Sequence, residues 1–102
     1  MTTTTLSWSA AQALTPTNAQ NAPERSGVYA LSERSGVIYI GESGDLRGRL
    51  GDHAPGSDNT CVARAARNGL SFQFALVSGE AERKRVEKSL IREYDPRCKR
   101  TA

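Results

Sequence analysis

The order of residues 27–41 constrains the fold more than any other part of the chain. Two segments, GVYALS and VIYIG, alternate apolar and other residues with a period of two, and turn-forming residues separate them. This pattern is typical of a β-hairpin. We predict that a three-residue loop, Arg34-Ser35-Gly36, closes the hairpin with its glycine in the left-handed conformation.

The register of this hairpin decides where its two tyrosines point. A three-residue loop pairs Glu33 with Val37 and Leu31 with Tyr39. Tyr29 and Tyr39 then lie on the same face of the sheet. Tyrosines on strands most often only cover a sheet face, so neither residue alone indicates catalysis. The pattern leaves a structural and a chemical role open for both.

The next segment, ESGDLRGRLGDHA, predicts a short helix capped by Ser43 or Asp45. At helical spacing, one face carries Leu46, Arg49, Leu50 and His53. A guanidinium and an imidazole on an inward face are unusual, because exposed basic residues take the other side, as Arg47 does. A snorkelling arginine and a histidine at the edge of the face are the alternative. Gly48 and Gly51 each weaken the helix by about 1 kcal/mol, which suggests that something packs or binds closely there.

The second half of the chain predicts one helix over residues 58–68, a third strand in LSFQFALV, and a long helix in GEAERKRVEKSLIREYD. In the long helix, Glu87 falls inside an apolar stripe that includes Val86 and Leu90. A buried carboxylate is costly without a partner. Glu87 therefore either pairs with Arg83 one turn earlier or serves chemistry such as metal binding.

The first 24 residues differ in composition from the rest. They carry one charge, Glu24, whereas all 14 Lys and Arg residues follow. We therefore divide the chain into an N-terminal arm, residues 1–24, and a domain, residues 25–102. Ser9 is a candidate cap for a short helix over residues 10–14, and we favour a loosely held arm over docking of Trp8 on the core.

The opening residues also bear on where the protein works. MTTTTLSWSA has no Lys or Arg and no continuous apolar run, so we predict neither a secretory signal nor a membrane-spanning helix. We expect a cytoplasmic protein without a membrane partner.

The charge balance favours a polyanionic partner. Arginine supplies most of the 14 basic residues, and the formal net charge is +3. Its planar guanidinium matches phosphate oxygens. A chain of 102 residues holds one domain with a thin core, so the function should lie on an open surface.

The cysteine pattern predicts neither a disulfide framework nor a metal site. Cys61 and Cys98 lie far apart, with no C-x-x-C and a single histidine in the chain. Such a pattern supports neither a zinc site nor a disulfide. We expect two reduced thiols that pack as small apolar groups.

Four short motifs, taken in order, resemble the GIY-YIG nuclease family. They are Gly27-Val28-Tyr29, Tyr39-Ile40-Gly41, the stretch from Asp45 to Leu50 with His53 beyond it, and the stretch from Val86 to Ile91 followed by Pro96. The resemblance runs from about residue 23 to residue 100. It includes free-standing members and the nuclease module of the bacterial excision-repair incision subunit. The agreement in order and spacing makes it more specific than any one motif.

The resemblance implies an α+β fold, with a three-stranded antiparallel sheet flanked by helices. It also implies a metal-dependent endonuclease that hydrolyses phosphodiester bonds in DNA. Mg²⁺, or Mn²⁺, would be held by Glu87. Arg49 would contact the scissile phosphate, and Tyr29, helped by His53, would deprotonate or orient the attacking water. Tyr39 would position the phosphate or the water.

The expected site therefore has two parts. The catalytic residues implied by the resemblance are Tyr29, Tyr39, Arg49, His53 and Glu87. The basic residues expected to contact nucleic acid are Arg47, Arg49, Arg64, Arg67, Arg97 and Lys99.

One position departs from the family pattern. The closing asparagine is replaced by Lys99, so a donor-only cation stands where an amide could both donate and accept. Lys99 either contacts substrate phosphate, depresses a tyrosine pKa, or marks a slow or inactive member. Three functions stay open: a DNA endonuclease, a non-cleaving nucleic-acid-binding module of the same fold, and, least favoured, a protein-interaction domain.

In a chain of this length we expect no second domain that reads bases. Specificity would then come from the shape of the DNA, as in single-stranded or branched DNA, from a protein partner, or from a homodimer. We expect the chain to be a monomer or a weak homodimer.

Overall fold

The computed structural model describes residues 6–54, 57 and 59–98, which form a four-stranded antiparallel sheet with helices on both faces. The strands are β1 (Gln12–Ala13), β2 (Gly27–Glu33), β3 (Gly36–Ser43) and β4 (Ser71–Leu76), in the spatial order β1-β4-β2-β3. The helices are α1 (Pro16–Gln20), α2 (Leu46–His53), α3 (Thr60–Ala66) and α4 (Glu80–Tyr94). The α+β class is confirmed. The predicted sheet lacked only the two-residue strand β1.

The hairpin of β2 and β3 forms where it is predicted, with a different turn. Glu33 pairs with Gly36 and Ser32 with Val37, so the predicted pairing of Glu33 with Val37 is wrong. The register then shifts after Ser32, which restores the predicted pairing of Leu31 with Tyr39. The extra residue is accommodated by a bulge instead of by a longer loop. For that reason the prediction that Tyr29 and Tyr39 lie on the same face of the sheet is confirmed.

The two faces of the sheet carry separate apolar clusters. One cluster contains Tyr29, Leu31 and Tyr39 together with buried residues of α1, α2 and α3. The other contains alternate residues of the same strands, such as Val28 and Ile40, and the buried apolar residues Val86 and Leu90 of α4. Strand alternation therefore places the tyrosines on the face opposite to α4.

The N-terminal arm is docked on the sheet, so the expectation of a loosely held arm is wrong for the described residues 6–24. The Ser9 backbone N–H donates to the Phe74 carbonyl at 2.8 Å, and Trp8 packs against the α4 cluster. The predicted helix over residues 10–14 is absent, because this segment pairs with β4 and the Ser9 hydroxyl accepts a hydrogen bond from the Phe74 N–H. The helix begins later, behind the Thr15 cap. The domain boundary at residue 25 stays a prediction.

The cysteine prediction is also wrong, since Cys61 and Cys98 form a disulfide with a Cα to Cα distance of 5.4 Å. The two residues are 37 positions apart in sequence, and tertiary structure brings them together. The Cys98 N–H donates to the Ile38 carbonyl at 2.8 Å, which holds the segment after α4 along edge strand β3. No local spacing rule could have indicated this pair.

Candidate active site

Tyr29 lies at the centre of the candidate site because a glycine opposite it leaves room for its ring. Gly41 is its cross-strand partner, and a Cβ at Gly41 would lie 2.4 Å from the Tyr29 hydroxyl oxygen. No residue with a side chain fits there without moving the phenol. The Tyr29 side chain is only 1% exposed. Gly41, the last residue of the motif Tyr39-Ile40-Gly41, therefore has a steric role in building the site.

His53 meets Tyr29 from the last turn of α2. This helix begins behind Asp45, whose carboxylate accepts a hydrogen bond from the Gly48 N–H, and buried leucines orient its inward face. His53 is fully buried, and its Nε2 lies 3.0 Å from the Tyr29 hydroxyl oxygen. The helix prediction from sequence is confirmed in both its start and its facing.

Tyr39 completes a cluster of three rings. Its ring centroid lies 6.0 Å from that of Tyr29 and 5.3 Å from that of His53. The Tyr29 and His53 centroids are 5.6 Å apart. These distances are typical of packed aromatic pairs. The two phenols and the imidazole therefore form one contiguous buried cluster.

Arg49 adds a fixed positive charge to the cluster. Its guanidinium forms hydrogen bonds with both Tyr29 and Tyr39. Burial lowers the pKa of Arg49, but its interactions with the two phenols outweigh burial and raise it. The side chain remains 28% exposed and also lies near the Asp52 carboxylate. Arg49 is thus charged, anchored on the tyrosines and still accessible to a ligand.

The electrostatics of Tyr29 oppose ionisation in the protein alone. Burial and the neighbouring Tyr39 raise the pKa of Tyr29 far above its usual value, whereas Arg49 acts to lower it. Burial is the largest of these effects because it removes the phenolate from water. Tyr29 is therefore a neutral phenol at ordinary pH.

Glu87 approaches from a different element. It lies on α4, which packs on the opposite sheet face and mainly against edge strand β3. One turn earlier, the Arg83 Nε donates to Glu42 on β3 at 3.0 Å, and both side chains are only 13% exposed. This ion pair fixes the Glu87 turn beside the end of β3. The structure thus brings four of the predicted catalytic residues together in one cluster. The fifth, Glu87, lies on α4, which packs along edge strand β3.

The donor at Glu87 suits a hard divalent cation. The residue is 9% exposed, and its Oε2 is buried and accepts no hydrogen bond within the described part of the chain, although the residue has other interactions. The described residues contain no cluster of three or more His, Cys, Asp and Glu that could hold a metal. A single carboxylate matches Mg²⁺, which keeps several of its waters and takes phosphate oxygens as ligands. It would suit zinc or calcium poorly.

The predicted nucleic-acid contacts are spread over the surface. Arg47 is exposed but donates to Glu24 at 2.9 Å, and Arg97 pairs with Glu33. Arg64 and Arg97 line an open cleft of about 620 Å³ beside the disulfide, and Arg67 is exposed at the end of α3. Lys99 lies outside the described residues.

Sequence reasoning missed a residue that contacts His53. The Ser57 hydroxyl oxygen lies 2.7 Å from His53 Nδ1 and accepts a hydrogen bond from the Asn59 N–H at 3.1 Å. A serine two residues before a helix-capping asparagine signals such a turn, but its contact with His53 depends on tertiary structure. The expected close packing at Gly51 is not found, since a Cβ there would have no described neighbour within 4 Å.

No described helix combines the length and apolar character needed to cross a bilayer.

Solved structures similar to this chain include an endonuclease domain. A tyrosine point mutant of the GIY-YIG N-terminal endonuclease domain of UvrC from Thermotoga maritima, bound to its catalytic divalent cation, aligns with a TM-score of 0.72 and 27% identity. The alignment covers 83% of this chain and 93% of that one. The same domain bound to magnesium aligns with a TM-score of 0.70 and 28% identity, over 80% and 91% of the two chains.

Sequence relatives are much longer proteins. The UvrABC system protein C of Rickettsia bellii (strain RML369-C) is 32% identical over 76 residues, which are 74% of this chain and 12% of the relative. That of Aquifex aeolicus (strain VF5) is 35% identical over 79 residues, 76% of this chain and 14% of the relative. The chain thus spans about an eighth of their length. The model of the UvrC-like GIY-YIG domain matches residues 25–99, and this protein belongs to that family.

Proposed function

We propose that this protein is a divalent-metal-dependent DNA endonuclease that hydrolyses phosphodiester bonds. The observation that carries the proposal is the buried contact between Tyr29 and His53, with Arg49 bound to the same phenol. Stability alone does not require a guanidinium and an imidazole to converge on a buried hydroxyl. The nuclease activity of structurally similar domains supports the same conclusion.

The chain's own residues have distinct tasks in this proposal. Arg49 binds a non-bridging phosphate oxygen and stabilises the charge of the transition state. Once Tyr29 has lost its own proton to solvent, water attacks phosphorus, the bond to the leaving oxygen breaks, and one water proton passes to the Tyr29 phenolate oxygen. His53 holds that oxygen in place, and Tyr39 positions the phosphate or the water. Exposure of Arg49 gives the backbone of a nucleic acid access to this cluster.

Glu87 is the proposed metal ligand. A bound Mg²⁺ or Mn²⁺ would neutralise charge on the leaving oxygen and supply the positive charge that ionisation of Tyr29 requires. The pairing of Arg83 with Glu42 holds the turn of α4 that carries Glu87.

A binding module without cleavage is the second candidate, and one observation favours it. Lys99 stands where the family pattern has asparagine. If Lys99 lies at the site, Lys99→Asn should preserve or raise cleavage, whereas Lys99→Glu should abolish it by repelling phosphate. Equal cleavage by all three proteins would place Lys99 away from the chemistry.

The deciding experiment compares substrates and ions. Purified protein is incubated with single-stranded, duplex and branched DNA and with RNA, each with Mg²⁺, Mn²⁺ or EDTA. The proposal predicts cleavage of at least one DNA form with either ion and none with EDTA. Binding without cleavage in every condition would support the second candidate, and cleavage in EDTA would contradict the metal requirement.

A further inference from the structure

A chain of three contacts runs from the candidate catalytic phenol to the loop after α2. Tyr29 contacts His53 Nε2, His53 Nδ1 contacts the Ser57 hydroxyl, and that hydroxyl accepts from the Asn59 N–H. His53 is fully buried, so water does not compete for either ring nitrogen. Which nitrogen carries the proton therefore depends on these neighbours.

The two contact distances at the imidazole are both compatible with a single assignment of its proton. The contact between Ser57 Oγ and Nδ1 is 2.7 Å, a length typical of a hydroxyl donor. The contact between Nε2 and the Tyr29 oxygen is 3.0 Å, which is typical of an N–H donor. Both lengths agree with a proton on Nε2 and none on Nδ1.

The contacts of Ser57 lead to the same assignment. Its oxygen already accepts the Asn59 N–H, and its single proton needs an acceptor. Nδ1, at 2.7 Å, is an acceptor only when His53 carries its proton on Nε2. If Nδ1 carried the proton, the Ser57 oxygen would accept from both Nδ1–H and the Asn59 N–H. The Ser57 hydroxyl proton would then need a different acceptor.

We propose that Ser57 is a positioning residue: its hydroxyl donates to Nδ1 and fixes His53 as the Nε2–H tautomer, which donates to the Tyr29 oxygen. In its neutral form His53 then cannot take the proton of Tyr29. It stabilises negative charge on that oxygen, which makes the phenol and not the imidazole the proton acceptor. The catalytic part rests on the proposed nuclease function, whereas the tautomer does not.

The tautomer can be measured directly because the chain contains one histidine. We would record long-range ¹H–¹⁵N correlations of the imidazole on the full chain without a histidine tag, at a pH where His53 is neutral. The expected spectrum has a protonated Nε2 and an unprotonated Nδ1. A protonated Nδ1 in the wild-type protein would overturn the proposal.

Variants test the role of Ser57 itself. Ser57→Ala should produce a mixture of tautomers, Ser57→Thr should keep the wild-type pattern, and Ser78→Ala, at an exposed serine, is the matched control. An unchanged tautomer in Ser57→Ala would contradict the proposal. Should that variant not fold, the wild-type and Ser57→Thr spectra still decide the tautomer.

Kinetics test the catalytic part. Loss of a group that orients a catalytic histidine should lower kcat by about 10- to 100-fold, leave KM nearly unchanged and be rescued by threonine. Wild-type kcat in Ser57→Ala with a mixed tautomer would overturn the catalytic part. If the wild-type protein cleaves nothing, the proposed function fails, and the spectra alone decide the assignment of Ser57.

Discussion

At the scale of single residues, one glycine, Gly41, leaves the space in which the Tyr29 phenol lies. Gly41→Ala would bring a methyl group to 2.4 Å from the Tyr29 hydroxyl oxygen, so the ring must move away from His53. We expect this variant to lose cleavage and to be less stable by about 1 to 3 kcal/mol. Gly51→Ala is the control, because its added methyl has open space on α2 and should stabilise the helix by up to about 1 kcal/mol. Thermal melting and cleavage of both variants provide the test, and wild-type behaviour of Gly41→Ala would contradict it.

Burial of Tyr29 also predicts how stability depends on pH. Because burial raises its folded-state pKa above the unfolded value of about 10, the folded protein keeps a proton that the unfolded chain has lost. This contribution is fully present below about pH 10 and is lost as the pH rises towards the folded-state pKa. Denaturant unfolding at about pH 9 to 11 should show a steeper loss for wild type than for Tyr29→Phe, by up to about 1.4 kcal/mol per pH unit. Tyr94→Phe, at an exposed ring, is the control, and equal slopes for wild type and Tyr29→Phe would contradict this account.

At the scale of elements, local patterns predicted the hairpin, α2 and α4, because each depends on neighbours within a few positions. The facing of Tyr29, Tyr39 and His53 followed from these periods alone. Ser57, the docked arm and the disulfide were missed, since each depends on contacts between segments distant in sequence or on a loop that no period describes. The turn of the hairpin was misjudged for another reason, as a bulge and a longer loop accommodate the same extra residue equally well.

The disulfide ties the start of α3 to the segment after α4. The two cysteines are 37 positions apart in sequence, so closing this loop should contribute about 4 kcal/mol by restricting the unfolded chain. We expect reductant to lower Tm by on the order of 20 °C in wild type, and not at all in the double variant Cys61→Ser, Cys98→Ser. Two alkylatable thiols in unreduced, unfolded protein would contradict the linkage.

At the scale of the whole molecule, exposed arginines should make DNA binding depend on salt. Each phosphate contact adds about 0.9 to the slope of log K against log salt on duplex DNA. Arg64→Gln, on the cleft, should therefore reduce the slope by about that amount. Arg85→Gln on the exposed side of α4, where Arg85 pairs with Glu82, should leave it unchanged. A flat wild-type plot would contradict a phosphate-binding surface.

In the proposed mechanism catalysis depends on one carboxylate, so Glu87→Gln is the most direct test of the account. The amide nearly preserves shape but removes the charge that holds the cation. We predict a loss of Mg²⁺-dependent cleavage of at least about 100-fold, as expected for removal of several kcal/mol of charge stabilisation, with DNA binding and Tm close to wild type. Glu93→Gln, at an exposed carboxylate on the same helix, should retain activity. Wild-type, metal-dependent cleavage by Glu87→Gln would remove Glu87 from the mechanism and contradict the account.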